Sequence, residues 1–439
     1  MTEERTYAAE GGACRELSGG ELNDLFSAAF SAARDAAGGK SGPVLILPPD
    51  ITRVHSRAGL LAAAAYAESG SALVMPALGT HTAMNAAERS RMFPGIPQDA
   101  FRVHDWRRGV VELGRLKADW VEKTCEGAVR YDWPVQVNRL LRDGGFSLVV
   151  SIGQVVPHEV TGMANHAKNI LVGTGGKEAI DKSHYAGACY GMERIMGRTD
   201  TPVRALFDEG MRRFGRLLPP ILYVLTVIGR KTDGGLAARG LFIGFGRDCF
   251  ERAASLARRV NVETLDEPVR KAVVYLDPEE YRSTWLGNKA VYRTRMAMAD
   301  GGELVVMAPG LERFGEDSGM DDLIRTYGYR SAAGIKEMAK KEKRLGGNLG
   351  AAAHLIHGSG EGRFTVRYCP GPGLDRKAIE GAGYEWGCLE ETLACYNPQT
   401  LHPGWNDING TGDGTERIFF IPNPALGLWV EKGRFGAPD

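Results

Sequence analysis

Leu22, Leu25, Phe26, Phe30 and Ala33 fall at helical spacing, and Gly38-Gly39 mark the end of that helix. Val44-Leu45-Ile46-Leu47 reads as a short buried strand closed by Pro48-Pro49. Ala-rich positions from Leu60 to Glu68 predict a helix. Strands are predicted at Ser71 to Met75, Phe146 to Ile152 and Gly240 to Gly244, and a helix from Asp248 to Arg259. This alternation predicts a mostly parallel, doubly wound sheet.

A polar stretch from Asn261 to Pro268 then interrupts the pattern, and the rhythm restarts. Ala272 to Leu276 reads as a strand, Asn288 to Ala299 as a helix, and Glu303 to Met307 as a strand behind the turn Asp300-Gly301-Gly302. Helices are expected from Met320 to His357, and short strands at Arg417 to Ile421 and Leu426 to Val430. The expected organisation is an N-terminal α/β domain over residues 1–265, a C-terminal α/β domain over 266–415, and a tail, 416–439, returning to the first domain. No internal repeat is visible.

Composition narrows the function. The 439 residues carry 54 Lys+Arg against 54 Asp+Glu, so there is no basic excess of the kind that nucleic acid or an anionic membrane requires. Gly is 58 of 439, well above the usual ~7%, and it is spread through turns and loops. Seven scattered cysteines without a CxxC pair do not form a disulfide framework. The longest apolar run, Leu217 to Ile228, is too short for a bilayer and contains Pro219 and Pro220. MTEERTYAAE shows no basic-then-apolar leader, so a cytoplasmic protein is expected. Oligomeric state is not encoded in any pattern here.

The chemistry gathers behind the strands, where open α/β sheets bind ligands. His81 follows one strand in Ala77-Leu78-Gly79-Thr80-His81, and His158 follows another in Pro157-His158. Each alone is as readily a loop histidine satisfying backbone groups as a ligand. Asp50-Ile51-Thr52-Arg53 follows the first strand. Its arginine suits a carboxylate or phosphate, unless it only pairs with Asp50. Gly173-Thr174-Gly175-Gly176 offers backbone N–H groups to a phosphate, although it is not GxGxxG. There is no Walker A, HExxH or GxSxG motif. The densest segment, Pro157 to Tyr185, holds His158, His166, Lys168 and His184. A lysine enclosed there can have a lowered pKa and act as a nucleophile, where a lone one would be a surface residue.

These pieces in this order resemble the nickel-dependent lactate racemase family. They are Asp50-x-Thr52-Arg53, Gly79-Thr80-His81, Pro157-His158, Lys168, Gly175-Gly176 and His184, with Lys289 before Asp300-Gly301-Gly302. The resemblance implies two α/β domains with the active site in the cleft between them. It also implies a nickel-pincer nucleotide, a pyridinium-3-thioamide-5-thiocarboxylic acid mononucleotide holding Ni. By carry-over, Lys168 would be joined to that cofactor, His184 would ligate nickel, and His81 and His158 would be paired acid/bases. Asp50, Thr80, Gly175 and Gly176 would help hold the cofactor, and Arg53, Lys289, Trp285 and His166 would face the substrate.

The implied reaction is inversion at C2 of a 2-hydroxy acid by hydride transfer to the cofactor. Two histidines suit it because their pKa lies near neutrality. Partners would be that small acid and the enzymes that build the cofactor, with no nucleic acid or membrane.

Two departures stand out. The family's serine- and glycine-rich stretch before the lysine is Met163-Ala164-Asn165-His166-Ala167 here, and its tyrosine–glutamine pair aligns with Trp285-Leu286. Asn165, His166, Glu178 and the loop His402 to Asp407, with Trp405, offer hydrogen-bonding and stacking groups to a polyol. A sugar acid such as gluconate or mannonate is therefore favoured over lactate or another small 2-hydroxy acid. The other readings are a hydrolase with a metal on His81, His158 and His184, and a non-catalytic binder of a nucleotide or sugar acid.

Overall fold

The computed structural model describes residues 4–37, 42–231, 234–409 and 415–435. The chain divides into two units, residues 1–186 with 195–261 and residues 187–194 with 262–439. The strands of the first are β1 (Arg5–Gly11), β2 (Val44–Leu47), β3 (Ala72–Val74), β4 (Val110–Leu116), β5 (Trp133–Asn138), β6 (Leu148–Gln154), β7 (Pro157–His158), β8 (Gly162–Met163), β9 (Ile221–Arg230) and β10 (Leu236–Phe245).

The first helix, Gly19–Ala36, starts where the sequence supplies a capping box. Ser18 Oγ accepts the Glu21 N–H, and Glu21 accepts the Ser18 N–H at 2.8 Å. Its inner face buries Leu22, Phe26, Phe30 and Ala33, in one core with Ile46, Val150 and Val224 from the sheet. Gly38-Gly39 lie outside the described residues.

The main sheet runs β1-β10-β9-β6-β2-β3. β2, buried along its length, pairs in parallel with β3 and β6, placing Val44 opposite both Ala72 and Leu148. β6 pairs in parallel with β9. Such a strand, covered on both faces, must be continuously apolar, which is why VLIL is legible as one. The strand expected at Gly240 to Gly244 is the end of β10, which runs antiparallel to β9. The link from Arg230 to Leu236 is too short for a crossover helix, so the chain turns back as a hairpin. The loops after β2, β3 and β6 leave the same end of adjacent parallel strands.

In the second unit the strands are β11 (Val262–Leu265), β12 (Val269–Tyr275), β13 (Met298–Ala308), β14 (Phe364–Pro370), β15 (Glu385–Trp386), β16 (Gly404–Asn409), β17 (Thr415–Ile421) and β18 (Leu428–Glu431). Its main sheet runs β15-β14-β13-β12-β17-β16, parallel except for the β16–β17 pair. The tail expected to return to the first domain lies here instead. β17 places Phe420 opposite Val273, β18 pairs with β11, and Ile418 and Phe420 fill this sheet's core.

The helix expected from Asn288 to Ala299 is shorter, Lys289–Thr294, because the chain is already in β13 from Met298. Asp300-Gly301-Gly302 is a bulge inside that strand rather than a turn before it. The register jumps from Val269–Met298 to Lys271–Glu303, with Gly301 at φ +73°. Among the described residues, no helix is long and apolar enough to cross a membrane. Both units are α/β with mostly parallel sheets.

Candidate active site

Pro48-Pro49 end β2, and Asp50 then caps the 3₁₀ turn Ile51–Ser56. Its Oδ1 accepts the Thr52 N–H at 3.1 Å and the Thr52 hydroxyl, and its Oδ2 accepts Nδ1–H of His81 at 2.5 Å. Asp50 is 5% exposed. Burial pushes its carboxyl up, but His81, the two Thr52 and His81 hydrogen bonds and the Arg53 charge outweigh that and hold it far below the usual range. The partner of Asp50 is thus His81, and Arg53 follows on the kink of the turn, at φ −118°. His81 comes off β3 through Gly79, at φ +57°, whose N–H bonds Gly173 O at 2.9 Å. Thr80 is exposed at the tip of this loop.

His158 lies after β6 in the small β7–β8 hairpin. Gly162 makes that hairpin possible: its φ is +80°, and a Cβ there would stand 2.0 Å from Arg198 O. His158 Nδ1 accepts the Val160 N–H at 3.1 Å and lies 3.8 Å from Glu159 Oε2. A backbone N–H only donates, so His158 carries its proton on Nε2. His81, donating from Nδ1, has Nε2 as its basic nitrogen. The two histidines therefore hold opposite tautomers.

Lys168 is in the first turn of the helix Ala167–Leu171. Burial, with the neighbouring Arg53 charge, pushes its ammonium down to about 8 against the pull of Glu159 and Asp50. His184 lies on the helix Lys177–Tyr190 and donates Nδ1–H to Ile180 O at 2.7 Å, so Nε2 is the nitrogen that carries the lone pair. Burial lowers its pKa, Lys168 lowers it further, and Glu159 and Asp181 oppose. Arg53, Asp50, Glu159, Lys168 and His184 thus form one electrostatic neighbourhood within the first unit, with Asp50 tying in His81.

The glycine turn is not a phosphate nest over its first three residues. The N–H groups of Gly173, Thr174 and Gly175 go to Lys168 O, Ile170 O and Val172 O. A Cβ on Gly175 or Gly176 would strike Leu171 O or Gln136. These glycines allow close packing beside Lys168. Sequence reasoning missed their anchor, His104, which donates Nε2–H to Gly175 O at 3.0 Å and accepts from Asn138 at 2.9 Å. It also missed Glu159 and the buried Arg204. Only Glu159's adjacency to His158 was a signal.

His166 is buried, its ring centroid 4.2 Å from that of Tyr223 and 5.1 Å from that of Phe250. In the second unit, Trp285 stacks on His354 at 4.2 Å, and Lys289 Nζ lies 5.4 Å from the Tyr281 ring centroid.

Residues 34–194 match the family described as lactate racemase N-terminal domain. That match lies almost wholly within the first unit and makes this part of the chain similar to a lactate racemase N-terminal domain. Among solved structures it is similar to a Thermotoga maritima protein, at 23% identity over 96% of this chain and 100% of that one, with a TM-score of 0.78. It is also similar to the lactate racemase apoprotein from Thermoanaerobacterium thermosaccharolyticum, at 16% identity over 93% and 92%, with a TM-score of 0.68. At these identities the two likenesses establish the fold. No curated protein matches the chain.

The residues present are compatible with the nickel cofactor that the sequence resemblance implies. Among the described residues, no three His, Cys, Asp or Glu side chains are grouped to hold an ion, which removes the support for a hydrolytic metal on His81, His158 and His184. A single imidazole with Nε2 available, beside a lysine that ionises near pH 8, suits a group that brings its own remaining ligands.

Proposed function

We propose that this protein is a racemase or epimerase that inverts C2 of a 2-hydroxy acid, with a nickel-pincer nucleotide attached through Lys168 and ligated by His184. The likeness to a lactate racemase N-terminal domain supports isomerase chemistry on a 2-hydroxy acid in general. The observation that carries the specific reading is Lys168, its amine made more nucleophilic at neutral pH by burial and Arg53, in one neighbourhood with His184. When bound, the cofactor supplies hydride acceptance and return at C2. The chain's own residues do the rest. His81, held by Asp50, takes the hydroxyl proton from one enantiomer, and His158 serves the other. Arg53 neutralises the carboxylate. The cofactor itself comes from separate biosynthetic enzymes.

For the substrate we favour a sugar acid such as gluconate or mannonate, on partly different residues from those read in the sequence. Glu178 is held by Arg115 and Lys182, Asn406 closes its own turn onto His402 and Gly404, and Trp405 lies under Arg417. Their polar groups serve the fold. Glu159, 19% exposed at its side chain and next to His158, is a hydroxyl acceptor of a kind that a lactate methyl would not use.

The test is the protein co-produced with the cofactor-building enzymes and nickel. We expect added mass on the Lys168 peptide and interconversion of gluconate and mannonate in a panel with lactate, malate, tartrate and phenyllactate. An active enzyme unmodified at Lys168 overturns the cofactor assignment. Best turnover on lactate with no polyol acid reacting overturns the substrate assignment alone.

A further inference from the structure

The two residues before Ala167-Lys168 adopt backbone conformations that side chains avoid. Asn165 stands at φ +72°, and His166 at φ +58°, ψ −135°, a region belonging essentially to glycine. Such strain persists only where the surroundings over-determine it. Here the surroundings are explicit. Arg204, fully buried, donates from one guanidinium nitrogen to Asn165 O at 3.1 Å and from the other to Met163 O at 2.5 Å, and it lies 4.4 Å from the Phe250 ring centroid. His166 sits between Tyr223 and Phe250 and donates Nε2–H to Gly246 O at 3.1 Å. Asn165 Oδ1 accepts the His166 N–H at 2.8 Å.

We propose that His166 and Arg204 are positioning residues for Lys168: together they lock the strained Asn165–His166 turn and so fix where the lysine amine is presented. Glycine at these positions would adopt the same backbone without strain but would leave it mobile. The bulky pair uses an aromatic slot and a two-carbonyl fork to make it rigid, and neither ring nor guanidinium needs to touch substrate. The functional meaning rests on Lys168 being the attachment point.

The test follows acetylation of Lys168 by acetic anhydride across pH in unloaded protein, quantified on the Lys168 peptide by mass spectrometry. The midpoint reports the surroundings of the amine and the plateau rate at high pH reports its accessibility, so the two are read separately. The wild-type midpoint is expected near 8. In His166→Gly it should rise by at least one unit toward the ordinary lysine value of ~10.4. His166→Gln, which keeps a donor for Gly246 O, should recover half of that shift, and Arg204→Lys, which loses the fork, should shift as His166→Gly does. Under identical loading, the fraction of His166→Gly carrying the cofactor mass should fall at least five-fold.

A folded His166→Gly protein with the wild-type midpoint overturns the proposal. If that variant is insoluble, wild-type midpoints in both His166→Gln and Arg204→Lys overturn it. Wild-type protein that never gains mass at Lys168 sinks the cofactor assignment instead and leaves the midpoint comparison standing.

Discussion

Asp50 Oδ2 and His81 Nδ1 are 2.5 Å apart, joining the loop after β2 to the loop after β3 through a carboxylate that also caps its own turn. The bond fixes the His81 tautomer and the orientation of its ring. Asp50→Asn keeps an acceptor for Thr52 but loses the charge, so turnover by loaded enzyme should fall ~10²-fold or more. The folded carboxyl titrates below its unfolded value, so its stabilisation is complete above about pH 4 and is lost on acidification below that. Acid titration of unloaded wild type against Asp50→Asn should show a constant stability gap above about pH 4 that narrows only below it.

His81 and His158 should each be indispensable, because each is base in one direction and acid in the other. Either His→Ala change should stop net inversion, while hydrogen removal from one enantiomer persists as a cofactor absorbance change. Wild-type inversion in both variants would make the pair structural.

Hydride transfer predicts that C2 deuterium in the substrate stays at C2 in the product. In D2O with protiated substrate, little solvent deuterium should enter, as mass spectrometry of the product will show. Rapid wash-in would assign the inversion to proton abstraction by the histidines alone.

Lys168 gives the unloaded protein a specific pH signature. Its folded pKa, about 8, lies below the unfolded ~10.4, so the unfolded state binds more protons between these values. Stability should therefore rise with pH across that window, relative to Lys168→Met. Denaturant midpoints at pH 8 and 10 for both proteins measure it, and parallel curves would count against the buried amine.

His104 holds the glycine turn from behind. His104→Ala leaves Gly175 O and the Asn138 amide without this partner, at about 1–3 kcal/mol for each group. Burial keeps the imidazole pKa below its ordinary value, despite Gly175 O and Asp105 favouring the charged form. Wild type should therefore lose stability as pH falls below about 6.5, and His104→Gln should lose less. Urea midpoints from pH 7 to 5 measure both effects.

The sequence made some elements plain and concealed others for identifiable reasons. VLIL at Val44–Leu47 is a strand buried on both faces, and Ser18 with Glu21 advertises a helix start, because both signals are local. Asp300-Gly301-Gly302 also reads locally, as a turn, but pairing with β12 and β14 carries β13 through it as a bulge. Ile418 to Ile421 announces a strand without saying which sheet will take it.

For the site, the order and spacing of Asp50, Arg53, His81, His158, Lys168 and His184 carry the resemblance on which the proposed chemistry rests, since residue types and their places behind strands are written in the chain. Tertiary structure alone decided which group faces which. Asp50 binds His81 rather than Arg53, Glu159 joins Lys168 and His184, and His104 and Arg204 support the loops from 71 and 39 residues away. The reason is physical: a side chain's identity is local, but its burial, its tautomer and the charges that set its pKa come from chain segments distant in sequence, which only the folded sheet brings together.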